Sequence, residues 1–62
     1  MCSYEIRLRK NEGRIEETYH VRRVNDFAAI RNARQIAEEG DIVEVWKGGD
    51  CIYADLRLPS VH

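Results

Sequence analysis

Residues 25–46 read NDFAAIRNARQIAEEGDIVEVW, and within them the hydrophobic period changes from helical to strand-like. Phe27, Ile30, Ala33, Ile36 and Ala37 recur at three- and four-residue steps, the spacing of one apolar stripe on an α-helix. Asn25 and Asp26 stand ahead of the stripe. A short polar side chain there caps the free N–H groups of the first turn, and an acid suits the positive end of the helix. Gly40 follows where a left-handed C′ residue belongs. Arg31, Asn32, Arg34, Gln35, Glu38 and Glu39 occupy the rest of the circumference, with Arg34 and Glu38 spaced to pair. Beyond Asp41 the run Ile42-Val43-Glu44-Val45-Trp46 is the most β-prone segment of the chain.

Downstream, Gly48-Gly49 marks a tight two-residue turn between two strands. That turn pairs Val45 with Ile52 and Val43 with Ala54, all facing inward. The other face then carries Trp46 beside Cys51, Glu44 beside Tyr53 and Ile42 beside Asp55. The last strand runs to about Leu58, where Pro59 removes a ladder donor, and residues 58–62 form a short tail. Upstream, Tyr4, Ile6 and Leu8 alternate with polar residues, which defines a half-buried strand. Lys10-Asn11-Glu12-Gly13 supplies the turn, and a second alternating stretch puts Ile15, Tyr19 and Val21 inward. Glu17 interrupts this inward set. Keeping the apolar face whole favours the register that pairs Leu8 with Ile15 and Tyr4 with Tyr19.

The expected architecture is one α+β domain over residues 1–62, in the order ββαββ. Two hairpins make a four-stranded sheet and one helix packs on one of its faces. Crossover handedness makes the second and third strands parallel. Sheet orders 1-2-3-4 and 2-1-4-3, the β-grasp arrangement, both satisfy that rule, and both stay open.

The helix AAIRNARQIAEEG ending at Gly40, and the strand and turn Val43-Glu44-Val45-Trp46-Lys47-Gly48, carry a resemblance. From Phe27 to Asp55 the chain resembles a group of short bacterial proteins with no assigned activity. These have a hairpin, an Ala-rich helix, then a strand-turn pattern of the form "G…VElWqG". The resemblance covers about half the chain. It implies a ββαββ fold and a cytoplasmic bacterial origin, and it supplies no catalytic or binding residues.

Composition narrows the function classes. The chain of 62 residues is 44% apolar and 34% charged, which is the balance of a folding domain rather than a disordered one. Ten Lys and Arg face eleven Asp and Glu, a net charge of -1, so no long-range attraction to phosphate operates. The start of the chain lacks the apolar core of a signal peptide, and no apolar run is long enough to span a membrane. A cytoplasmic location is therefore expected, with Cys2 and Cys51 reduced. Two Cys and two His without CxxC or HxxxH spacing predict no metal site. Neither cofactor nor catalytic residue is expected. Cys51 and His20 would form a nucleophile and base only if the sheet order joined their strands. Gly48-Gly49 opens no helix and is too short to cradle a phosphate.

The uncovered sheet face is the sharper candidate. Ile42, Trp46 and Tyr53 are expected there, interleaved with Arg7, Arg9 and Arg22. An apolar patch rimmed by arginines suits a protein interface, either with another protein or as a homodimer about a two-fold axis. The alternative is a single-stranded nucleic-acid-binding accessory protein that stacks bases on Trp46 and Tyr53. Alternating acids on the same face leave no basic stripe, which disfavours that alternative.

Overall fold

The computed structural model describes residues 1–10 and 16–56. The chain runs β1 (Cys2–Arg9), β2 (Glu16–Arg23), α1 (Asp26–Ile36), β3 (Ile42–Lys47) and β4 (Asp50–Leu56). The ββαββ order and the single four-stranded sheet are those expected. The sheet order is not. The strands lie β2-β1-β3-β4, which is neither 1-2-3-4 nor 2-1-4-3. Antiparallel pairing of β1 with β3 joins the two hairpins at the middle. Since β2 and β3 both run antiparallel to β1, they are parallel to each other, with β1 between them.

Burial explains the order. Tyr4, Ile6 and Leu8 of β1 and Val43 and Val45 of β3 are all essentially inaccessible to solvent. Over the stretch where the two strands pair, the inward residues Ile6, Leu8, Val43 and Val45 are all apolar, so bringing them together puts the driest surface at the centre. The strands at the edges carry an acid on the same face: Glu17 opposite Leu8, and Asp55 opposite Val43. An edge position lets each carboxylate reach water.

The first hairpin keeps its apolar face but not the expected partners. Tyr4 opposes Val21, Ile6 opposes Tyr19 and Leu8 opposes Glu17. The register is offset by two residues from the one that pairs Leu8 with Ile15, and Ile15 itself lies outside the described residues. A two-residue shift preserves the inward set because side chains alternate with period two.

The helix packs through alanine. Ala29, Ala33 and Ala37 recur every four residues and are buried, with Ile30 packed against them. Phe27 is 82% exposed and Ile36 36% exposed, so the stripe predicted through those residues is turned aside. Small side chains let the helix lie close on the sheet, and a stripe containing Phe27 would hold it off. Asn25 caps the helix as expected, accepting from the Ala28 N–H at 2.9 Å.

Its other end departs from expectation. The helix stops at Ile36, and Ala37 is already extended. Gly40, at φ 87, serves the following turn rather than a helix C′ position. There the Asp41 N–H donates to the Glu38 carbonyl at 3.0 Å, and Asp41 Oδ2 accepts the Glu38 N–H at 2.9 Å. Glu38 has left the helix, so its carboxylate lies 3.8 Å from Lys10 rather than against Arg34.

Two polar clusters fasten the helix ends to the sheet. The buried Tyr4 hydroxyl donates to Asp26 Oδ1 at 2.6 Å, and Lys47 Nζ approaches the same oxygen at 3.5 Å. The hydrogen bond from Tyr4, reinforced by Lys47, holds the Asp26 carboxyl below its ordinary pKa, although burial opposes it. That bond, with desolvation, pushes the Tyr4 phenol upward. At the far end Lys10 Nζ donates to the buried Asp41 carboxylate at 2.9 Å, and Glu17 lies 3.4 Å from the same ammonium. The bond to Asp41 is the main reason Lys10 is pushed up to about 12. Burial alone would raise Asp41, but Lys10 and the Glu38 N–H outweigh it and hold the carboxyl low.

Candidate interaction surface

The face opposite the helix is built by the residues that alternate with the core set. Three rows cross the sheet from β2 to β4: His20–Glu5–Trp46–Cys51, Thr18–Arg7–Glu44–Ala54, and Glu16–Arg9–Ile42–Leu56. Ser3 and Arg22 begin a fourth row beside the Gly48-Gly49 turn. Trp46, Ile42, Arg7, Arg9 and Arg22 all lie on this face, as expected. Tyr53 does not.

A β-bulge moves Tyr53. The turn forms as predicted, with Lys47 opposite Asp50 and both glycines at positive φ, Gly48 at 62 and Gly49 at 144. Trp46 then opposes Cys51, but Val45 opposes Tyr53 instead of Ile52. One extra residue on β4 between those pairs shifts every later position to the other face. Ile52 and Tyr53 therefore both pack against the helix-side core. Ala54 moves out beside Glu44, and Leu56 replaces Asp55 beside Ile42. Leu56 is the contact residue that reading the sequence misses. A bulge leaves no mark in a strand of mixed polarity, so only the pairing shows it.

The face divides into two halves. Along β3 and β4, Ile42 (39% exposed) and Leu56 (46% exposed) sit side by side, followed by Ala54 and Cys51. Along β1 and β2 the surface is charged, and Glu44 carries charge onto β3 beside Ala54. Arg7, Arg9 and Arg22 are matched among the described residues by Glu5, Glu16 and Glu44, so the face is neutral, with His20 counted as uncharged. Arg7 joins the halves. Its Nε donates to Glu5 while its guanidinium lies 4.5 Å above the Trp46 ring. Trp46 Nε1 in turn donates to Glu44 at 3.1 Å. These contacts hold the indole half-covered.

At the Gly48-Gly49 end the face hollows into an open groove of about 570 Å³. A second dimple, between Arg9, Glu16, Ile42 and Glu44, holds about 10 Å³, room for no more than a water. His20 and Cys51 stand on strands at opposite edges, so the nucleophile and base pairing considered from sequence is not made. Among the described residues no group of three or more His, Cys, Asp or Glu side chains is placed to hold a metal ion. No helix among them is long and apolar enough to cross a membrane. Comparisons with protein-family models, with curated proteins and with solved structures find no match to the chain.

Proposed function

We propose that the chain is a non-catalytic interaction module that associates with a second copy of itself through the outer face. The observation that carries this reading is the exposed Ile42–Leu56 pair, with Ala54 beside Glu44 in the next row, on a sheet whose one helix among the described residues lies on the other side. A small chain gains from covering such a strip, because its own core is limited by its size. Charge permits such a contact. Arg7, Arg9 and Arg22 are balanced by Glu5, Glu16 and Glu44 on this face, so a second copy meets no net repulsion there.

Size sets the strength. Four strands about 4.8 Å apart and about seven residues long give a flat footprint of roughly 400 Å² per copy. Two such footprints total roughly 800 Å², below the about 1,200 Å² of standard interfaces and in the range of weak, transient contacts. A weak dimer, with Kd in the micromolar range, is the expected outcome. Light scattering behind a sizing column at about 100 µM should give close to twice the 7.3 kDa chain mass. Ile42→Arg should return it to 7.3 kDa. A monomer mass for the unmodified chain at that concentration removes the reading.

The nucleic-acid alternative loses support from the same geometry. Tyr53 is not beside Trp46, so the second stacking residue is absent from this face. A strand of bases would have one platform and a phosphate track interrupted by Glu44 and Glu16.

A further inference from the structure

The groove at the Gly48-Gly49 end lies at the opposite end of the sheet from Ile42 and Leu56, and its lining is of a different kind. Its volume of about 570 Å³ falls within the range of small-molecule sites. On its β2 side stand Arg22 and His20, two positions apart on one face and so about 7 Å apart along the strand. The Arg22 side chain has no hydrogen-bond or ion-pair partner among the described residues. Among the described residues it is an unpaired, forked cation at the wall of the groove. On the β3 side the Arg7–Trp46 stack presents a flat cationic platform. Between the two walls runs Glu5, already held by Arg7.

The spacing selects a ligand. His20, Glu5 and Trp46 are neighbours in one row, so the cationic wall and the platform are two strand separations apart, about 10 Å. Arg7 and Arg22 against Glu5 leave one positive charge in the groove. The glycines leave its mouth open, since a Cβ at Gly48 or Gly49 would meet nothing within 4 Å.

We propose that this groove binds a nucleoside monophosphate or a ligand of that chemistry. Its planar ring would lie on the Arg7–Trp46 stack and its phosphate would sit between Arg22 and His20. Arg22 can meet a phosphate with two parallel N–H donors, which a single carboxylate oxygen does not reward equally. The two walls rise from strands about 10 Å apart, and the length of the Arg22 side chain shortens that gap to one that a nucleotide bridges and inorganic phosphate does not. A polymer fits less well, because the next rows along the sheet present Glu44 and Glu16.

The chain has a single tryptophan, so the Trp46 indole N–H reports the site in a ¹H–¹⁵N NMR titration. The four common ribonucleoside 5′-monophosphates are titrated singly. At least one should shift the Trp46 indole and the Arg22 and His20 amides saturably, with Kd below about 1 mM. The matching nucleoside and inorganic phosphate should each bind at least about tenfold more weakly, and Arg22→Gln should weaken the nucleotide about tenfold. Any of these results overturns the proposal: no saturable shift with any of the four, phosphate or the nucleoside binding as tightly as the nucleotide, or unchanged affinity in Arg22→Gln. A single-stranded oligonucleotide that binds tenfold more tightly per site than the monophosphate overturns it in favour of a polymer. Self-association is judged separately. A dimer that covers the whole outer face also covers this groove, so the titrations are run on the Ile42→Arg monomer: nucleotide affinity there judges the groove, and the mass of the parent chain on the sizing column judges the dimer.

Discussion

Replacing Phe27 and Ala33 separately tests how the helix meets the sheet. A helical stripe through Phe27 predicts that Phe27→Ala opens a core cavity, which costs about 3–5 kcal/mol. A domain of 62 residues holds only roughly 3–9 kcal/mol in total at 0.05–0.15 kcal/mol per residue, so such a loss would leave little folded. The structure predicts otherwise. Phe27 is 82% exposed, so truncation removes almost no buried surface, and alanine is the better helix former by about 0.5 kcal/mol. The expected change is zero to slightly stabilising, within about 0.5 kcal/mol. Ala33 is fully buried between the helix and the sheet. Ala33→Leu forces three extra carbons into that contact, at a cost of about 1–3 kcal/mol. Thermal unfolding followed by circular dichroism should show the two variants apart. At about 4–8 °C per kcal/mol for a domain this size, Ala33→Leu should melt some 4–24 °C lower and Phe27→Ala within about 4 °C of the parent. A loss of about 2 kcal/mol or more in Phe27→Ala refutes the alanine contact, and so does an unaffected Ala33→Leu.

Stability should also depend on pH at both extremes. Asp41 and Asp26 are held low in the fold, so their contributions are complete above the ordinary carboxylate pKa and fade as pH falls below about 4. In Asp41→Asn that acid-side loss should shrink, as read from urea midpoints between about pH 7 and 2.5. Lys10 and Tyr4 are held high, so their contributions are complete below about pH 10 and fade above it. Lys10→Met should flatten part of that alkaline decline. Gly49→Ala should destabilise by about 1 kcal/mol or more, because φ 144 is a conformation that residues with a Cβ avoid. Free space around the site means that backbone strain alone is measured there. An unchanged urea midpoint would count against the two-glycine turn.

Local chemistry in the sequence accounts for much of this protein. The alternation of Tyr4, Ile6 and Leu8 marked a strand, and all three are buried. Asn25 stands where a short polar side chain caps the helix, and it caps. Gly48-Gly49 has the chemistry of a two-residue turn, and Lys47 and Asp50 close it. Of the proposed contact surface, Trp46, Ile42, Arg7, Arg9 and Arg22 followed from period-two alternation alone. These features depend on residues within a few positions of one another, where side-chain direction and backbone preference act directly.

Pairing between distant segments decided the rest. The sequence alone left two sheet orders open and the tertiary structure took a third. Inter-strand order depends on which inward faces are wholly apolar, and Glu17 and Asp55 send β2 and β4 to the edges. Phe27 satisfied the helical spacing, yet the close approach of α1 to the sheet selected alanines in its place. The bulge beside Trp46 traded Tyr53 for Ala54 and Leu56 on the outer face, an exchange visible only once β3 and β4 are laid together. The common reason is that hydrophobicity says whether a side chain gains from burial. Which other surface buries it is set by the fit of elements far apart in the chain.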